Sequence, residues 1–116
     1  MSAVLDLAAA DDRALIAAHN DGDPHAFGEL YRRHRDRMWA VAMRTCSDRE
    51  LAADAVQDAF IAAFRRSASY RGEAAVTTWL HRIVVNACID RIRHERLRRT
   101  VPWPDGAASP LADARS

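Results

Sequence analysis

The stretch TTWLHRIVVNACIDRIRHERLRR, residues 77–99, decides the fold because it predicts a long amphipathic helix. Four apolar residues recur at the spacing of one helix face: Leu80, Ile83, Val84 and Ala87. A neighbouring face carries an aromatic ring, an amide and two guanidinium groups: Trp79, Arg82, Asn86 and Arg93. One side of this helix is therefore suited to a hydrophobic core and the other to a function.

The polar face has the chemistry of a nucleic-acid contact. Its two arginines suit phosphates, the amide of Asn86 suits a base edge, and the ring of Trp79 suits stacking on an unpaired base. A structural alternative stays open, because arginines near a helix C-terminus complement the helix dipole and Trp79 also fits a core position. The residues alone do not decide between the two interpretations.

Helix end signals and apolar spacing predict three more helices upstream of this one. The four predicted helices cover residues 11–21, 24–45, 48–67 and 76–98. Asp23 and Pro24 mark the start of the second helix, and Ser47 with Glu50 forms a capping box for the third. No segment has the pattern of a strand, so the sequence predicts a compact all-α bundle of about four helices.

Helical periodicity is lost at both ends of the chain. Residues 1–10 are predicted to be a flexible leader. Residues 100–116 are predicted to be an extended linker, because three prolines and a glycine interrupt them. The helical domain is accordingly assigned to residues 11–99.

The third predicted helix also has two unlike sides. Its core stripe is predicted from residues at helical spacing: Ala52, Val56, Ala59, Phe60 and Ala63. The opposite side collects two acids, an amide, an isoleucine and an arginine: Asp54, Gln57, Asp58, Ile61 and Arg65. An apolar centre with a polar rim is typical of a protein-binding patch, although a solvated face with one exposed isoleucine fits the pattern equally well.

Charge is distributed unevenly along the chain, although the formal net charge is only +1. All 17 basic residues are arginine. Residues 1–64 carry 7 Arg against 11 Asp and Glu, whereas residues 65–116 carry 10 Arg against 5 acids. This asymmetry favours two kinds of partner, one of them a polyanion for the basic half.

Catalytic, metal-binding and membrane functions find no support in the sequence. Cys46 and Cys88 are predicted to be small packing residues of a reduced, cytoplasmic protein rather than a disulfide framework. The histidines and cysteines lack metal-ligand spacing, and no glycine-rich phosphate loop is present. No run approaches the roughly 18 apolar residues of a membrane span. We therefore predict no enzyme activity, no cofactor and no metal.

Three ordered blocks resemble a known family. They are DGDPHAFGELYRRHRDRMWAVAMR, DRELAADAVQDAFIAAFRR and YRGEAAVTTWLHRIVVNACIDRIRHERLRR. In this order they resemble the second conserved region of bacterial extracytoplasmic-function (ECF) sigma factors, over roughly residues 11–99. The resemblance implies a helical bundle that binds core RNA polymerase and opens the promoter at its minus-ten element, without making or breaking a bond.

The resemblance also implies which residues carry these two roles. DAVQDAF matches the segment that docks on the coiled-coil clamp helices of the β′ subunit, which assigns polymerase binding to Asp54, Gln57, Asp58 and Ile61. The fourth helix and the loop before it match the segment that captures the non-template single strand and flips a base into a pocket. This match assigns DNA binding to Tyr70, Arg71, Gly72, Thr78, Trp79, Arg82, Asn86 and Arg93.

Two positions depart from the family pattern. Ala53 stands where members usually have a glutamate, and Val76 where many have an aromatic residue. The helix-turn-helix region 4 of the family is absent, and the chain after residue 99 resembles the start of the interdomain linker. Family members are commonly held inactive by an anti-sigma factor, so such a partner is expected. The alternative is a helical protein-interaction module without DNA binding, which would need only one of the two faces.

Overall fold

The computed structural model describes residues 6–100, except for the side chain of Thr100. This part contains four α-helices and a short 3₁₀ helix: α1 (Asp12–Asn20), α2 (Ala26–Cys46), α3 (Arg49–Arg66), η1 (Ser67–Ser69) and α4 (Val76–Thr100). Residues 6–100 contain no strand, and the predicted all-α architecture is confirmed. The predicted linker lies, apart from Thr100 at the end of α4, outside the described residues.

The predicted start of α2 is wrong by two residues. The helix begins at Ala26 rather than at Pro24. A carboxylate oxygen of Asp23 accepts a hydrogen bond from the backbone N–H of His25 at 2.8 Å, so this side chain closes the turn before the helix. The helix itself has no side-chain cap at its first turn.

The predicted cap of α3 is wrong by one residue. Asp48, not Ser47, is the N-cap, and its carboxylate accepts hydrogen bonds from the N–H groups of Glu50 at 2.9 Å and Leu51 at 3.1 Å. Ser47 has a left-handed backbone (φ 55°), and its N–H donates to the carbonyl of Met43, which ends α2. Because only two residues join α2 to α3, one must end a helix and the other must begin the next.

The core lies between α2, α3 and α4, with α1 packed against α2. The largest fully buried side chains are Leu15, Leu30, Met38, Val84 and Cys88. The core stripe of α3 differs from the prediction at one position, because Ala55 is fully buried whereas Val56 is half-buried. Four alanines thus face inward on α3, and their small side chains allow the neighbouring helices to approach closely.

Arg33 connects the N-terminal segment to α2. Its guanidinium donates hydrogen bonds to the carbonyl oxygens of Leu7 at 2.8 Å, Ala8 at 3.0 Å and Ala10 at 2.6 Å. The same group pairs with the carboxylate of Glu29 at 2.9 Å, which raises the pKa of Arg33 through this hydrogen bond. The described part of the predicted leader is therefore bonded to the helical domain.

Candidate functional surfaces

An apolar groove of about 920 Å³ runs between α2 and α3. We refer to it as the α2–α3 groove. Three residues of the predicted protein-binding patch, Gln57, Ile61 and Arg65, line it. Ile61 is 43% exposed, and it shares the groove with two exposed aromatic side chains, Tyr31 (43%) and Phe64 (53%). Large apolar side chains gathered in one open groove are the usual composition of a docking surface.

Aromatic packing shapes the floor of this groove. The ring of Tyr31 meets that of Phe60 edge-on, with centroids 4.9 Å apart, and Phe27 meets Phe64 in the same way at 5.2 Å. Sequence reasoning missed Tyr31 and Phe64 as surface residues. The spacing Gln57, Ile61, Phe64 is the signal that places Phe64 on this face, because the intervals of four and three follow one helix side.

The two acids predicted for the same patch lie apart from the groove and face α4. The guanidinium of Arg91 binds Asp58 through two hydrogen bonds, of 2.6 and 3.0 Å, and approaches Asp54 at 3.8 Å. The hydrogen bond to Asp58 raises the pKa of Arg91. The sequence did not suggest Arg91, because its partner lies 33 residues away in the chain.

Five of the residues predicted for DNA binding come together where the loop before α4 meets the first turns of that helix. Tyr70, Arg71, Gly72, Trp79 and Arg82 line a cavity of about 170 Å³, which we call the loop pocket. The rings of Tyr70 and Trp79 are 5.3 Å apart at an angle of 54°, and the hydroxyl of Tyr70 donates to the carbonyl of Ala74. Gly72 has φ 79°, a backbone conformation that glycine adopts without strain.

Asn86 lies in a different cavity. It lines a polar space of about 430 Å³ between α3 and α4, which we call the α3–α4 cavity, together with five charged or titratable side chains: Asp58, Arg66, Asp90, Arg91 and His94. Thr78 and Arg93 are exposed on α4 and line neither cavity. The structure therefore divides the predicted DNA-binding residues between a pocket, a cavity and an open helix surface.

Residues 6–100 contain no cluster of three or more histidines, cysteines or acids that could hold a metal ion. None of the helices in this range is long and apolar enough to cross a membrane.

Comparison with known proteins identifies the domain. Residues 30–98 match the family Sigma-70 region 2. The chain belongs to this family. It is 47% identical over 102 residues to the ECF RNA polymerase sigma factor SigM of Mycobacterium tuberculosis, an alignment that covers 88% of this chain and 51% of SigM. It is 40% identical over 75 residues to the ECF RNA polymerase sigma-E factor of Haemophilus influenzae, covering 65% of this chain and 39% of that protein.

A solved region 2 structure has the same fold. It is described as an engineered region 2 of sigmaE in complex with GTAAAA, and it superposes with a TM-score of 0.72 at 29% identity, covering 87% of this chain and all of that one. The resemblance to an ECF sigma factor region 2 is thus confirmed. This region 2 chain spans about half the length of SigM. The family match over residues 30–98 includes all the predicted site residues, which lie on α3, on α4 and in the loop before α4.

Proposed function

We propose that this region 2 domain binds core RNA polymerase and captures the non-template single strand of a promoter minus-ten element, so that transcription can start. The observation that carries the proposal is the presence, on one small domain, of two surfaces with different chemistry. One is the apolar α2–α3 groove, and the other is the aromatic and cationic surface formed by the loop pocket and α4. A module that binds only protein would need the first surface alone.

The α2–α3 groove suits a helical partner. An amphipathic helix buries its apolar face in such a groove, and the coiled-coil clamp helices of the β′ subunit are the partner expected from the family. Ile61 would occupy the centre of the contact with Gln57 beside it, whereas Asp54, which lies apart from the groove, would contact the polymerase outside it. Asp58 has a second role in the proposal, because its hydrogen bonds to Arg91 fix α3 against α4.

The loop pocket suits an unstacked base. Tyr70 and Trp79 offer aromatic faces, and Arg71 and Arg82 offer positive charge for the adjacent phosphates. Such a site lowers the cost of holding a base outside the duplex stack, which is the step that base capture requires.

The remaining predicted DNA-binding residues would recognise the base sequence and add sequence-independent affinity for DNA. The amide of Asn86, which lines the α3–α4 cavity, would bond a second base edge. Arg93 and Thr78, exposed on α4, are proposed to contact the sugar-phosphate backbone. The domain would act by binding alone, in the cytoplasm where the polymerase works. An anti-sigma factor that covers the same surfaces is the proposed regulator.

The test is a two-step binding experiment. The purified chain is first captured on core RNA polymerase, and fluorescent non-template minus-ten oligonucleotides are then titrated onto the complex. We expect polymerase binding and preferential binding of one single-stranded sequence over altered ones. Capture by polymerase without oligonucleotide binding would support the protein-interaction module instead, and a failure to bind polymerase would contradict the proposal.

A further inference from the structure

Arg91 of α4 is held by two carboxylates of α3. Its Nε and Nη2 atoms donate to the two carboxylate oxygens of Asp58, at 2.6 and 3.0 Å, and its Nη1 atom lies 3.8 Å from a carboxylate oxygen of Asp54. All three side chains remain in contact with solvent, since Arg91 is 35% exposed, Asp58 43% and Asp54 54%. A charged partner can therefore reach these groups and compete for them at a modest cost in free energy.

The same guanidinium lines the α3–α4 cavity, to which Asn86 also contributes. With His94 counted as neutral, the charges of this cavity balance, because it is lined by two arginines and two carboxylates: Arg66, Arg91, Asp58 and Asp90. A cavity without net charge attracts a DNA phosphate only weakly. If the carboxylate of Asp58 were paired elsewhere, the cavity would have an excess of one positive charge near the amide that is proposed to contact a base.

Asp58 has two possible partners. Both of its carboxylate oxygens accept hydrogen bonds from Arg91 in the isolated domain. The family resemblance also assigns Asp58 to polymerase docking, where a carboxylate on an exposed helix face would pair with a basic group of the partner. Because one carboxylate cannot hold two cations equally well, docking on the polymerase would weaken the hold of Asp58 on Arg91.

We propose that Arg91 is a phosphate-binding residue whose guanidinium is occupied by Asp58 until the polymerase binds. A basic group of the polymerase takes over Asp58, and Arg91 then binds a phosphate of the non-template strand at the α3–α4 cavity. A guanidinium binds carboxylate and phosphate through the same pair of N–H groups, so Arg91 exchanges one oxyanion for another. The release by polymerase rests on the proposed function, whereas the competition between Asp58 and DNA for Arg91 is a property of the domain alone.

The expected consequence is that the isolated domain binds single-stranded DNA more weakly than the polymerase complex does. Ion pairs as exposed as Arg91 and Asp58 change an equilibrium by up to about fivefold, so the effect of releasing Arg91 should be of that size. The ion pair would thus help to delay strand capture until the polymerase is in place.

The first test titrates the purified chain alone onto a fluorescent single-stranded oligonucleotide of random sequence, because a phosphate contact does not depend on sequence. We expect Asp58→Asn to raise the affinity by about fivefold. The slope of log affinity against log salt should become steeper by about 0.7, the value for one additional phosphate. Arg91→Gln should remove the gain in the Asp58→Asn chain, and it should cost less affinity in the parent, in which Asp58 occupies the guanidinium.

Asp90→Asn is the matched control. Asp90 lines the same cavity, but within residues 6–100 the ion pairs of Arg91 are with Asp54 and Asp58. The control removes one negative charge without releasing Arg91, so its gain should stay below about twofold. Circular dichroism verifies the helical content of every variant. Equal gains for Asp58→Asn and Asp90→Asn, or a gain that persists when Arg91→Gln is added to Asp58→Asn, would overturn the proposal.

The second test repeats the titrations at saturating core RNA polymerase. Arg91→Gln should now weaken oligonucleotide binding by about fivefold, and Asp58→Asn should give no gain, because the polymerase already occupies that carboxylate. The same gain from Asp58→Asn with and without polymerase would overturn the proposed release. The titrations of the isolated chain do not depend on polymerase binding, so a failure of the proposed function is recognised separately, as a chain that polymerase does not capture.

Discussion

The α2–α3 groove and the α4 surface are built in opposite ways. The groove is one contiguous apolar space whose floor is made of interlocked aromatic rings. The α4 surface is polar and is divided into the loop pocket, the α3–α4 cavity and exposed side chains such as Arg93. Both surfaces were predicted from the same kind of sequence pattern, a set of residues at helical spacing that is unusual for an exposed helix face.

The difference shows how each surface should respond to mutation. In the groove, one substitution at the centre should disturb the whole of the proposed contact, because affinity would depend on excluding water from a single apolar area. On the α4 surface the contributions should be separable, because the cavities do not share lining residues.

The largest effect is expected for Ile61→Asp. This variant places a charge in the groove, and it should weaken binding to the polymerase clamp helices by about 2 kcal/mol or more if Ile61 is a hot spot. The fold should survive, because the side chain is 43% exposed and lies outside the core. Binding is measured by titration with the isolated β′ clamp-helix fragment, and helical content by circular dichroism.

Ala17→Asp is the matched control for Ile61→Asp. Ala17 is exposed on α1 and does not line the groove, so the same added charge should leave polymerase binding unchanged. Equal binding by Ile61→Asp and the parent would show that the groove is not the docking surface. Loss of helical signal in Ile61→Asp would show that Ile61 supports the core.

The sequence predicted the helices well because apolar spacing reports directly which side of a helix is buried. The prediction was less accurate where two neighbouring residues suit the same structural role. Ser47 and Asp48 both suit an N-cap, and only the close spacing of α2 and α3 decides that Ser47 ends one helix while Asp48 begins the next. The choice between Ala55 and Val56 likewise depends on how closely the other helices approach α3.

Trp79 and Asn86 were predicted to belong to one surface, but the structure places them in different cavities. Trp79 and Asn86 lie on one side of α4, but seven residues of helix rise by about 10 Å. That distance is enough to place them in the loop pocket and the α3–α4 cavity respectively. Helical spacing gives the direction of a side chain around the axis, and the site also depends on how far along the axis it lies.

The next largest effect is expected for Asn86→Ala on base discrimination. If its amide makes a good base contact, the variant should reduce the preference for the matched minus-ten single strand by about 1–3 kcal/mol. Trp79→Ala should weaken matched and altered strands alike, because stacking tolerates any base. Since the two residues lie in separate cavities, the double variant should show the sum of the single effects within about 0.5 kcal/mol.

The measurement is a titration of matched and mismatched oligonucleotides onto the polymerase complex. Equal loss across all sequences for Asn86→Ala would make it a backbone contact or a structural residue. Strong non-additivity with Trp79→Ala would mean that DNA joins the two cavities into a single site, and the contrast with the groove would no longer hold.

A smaller effect is expected from breaking the Arg91–Asp58 pair, which connects the two surfaces. Arg91→Gln should lower the free energy of unfolding by about 1 kcal/mol, because the pair is bidentate but roughly a third to a half exposed. Arg99→Gln is the control, because Arg99 pairs with Glu95 within one helix turn at 3.5 Å and is 74% exposed. The free energy of unfolding of both variants is measured by urea denaturation. Equal losses of this free energy would show that the Arg91–Asp58 pair between α3 and α4 does not stabilise the fold.

The smallest effect is expected for Arg93→Ala, an exposed residue of α4 outside both cavities. A phosphate contact contributes through counterion release, so the variant should weaken every oligonucleotide about equally. The slope of log affinity against log salt should become shallower by about 0.7, the value for one phosphate of a single strand. The titrations are run at two salt concentrations, with Arg13→Ala on α1 as the control for removing one exposed charge. A change in base preference with an unchanged salt slope would indicate that Arg93 contacts a base edge and not a phosphate. The exposed part of α4 would then also contribute to sequence recognition.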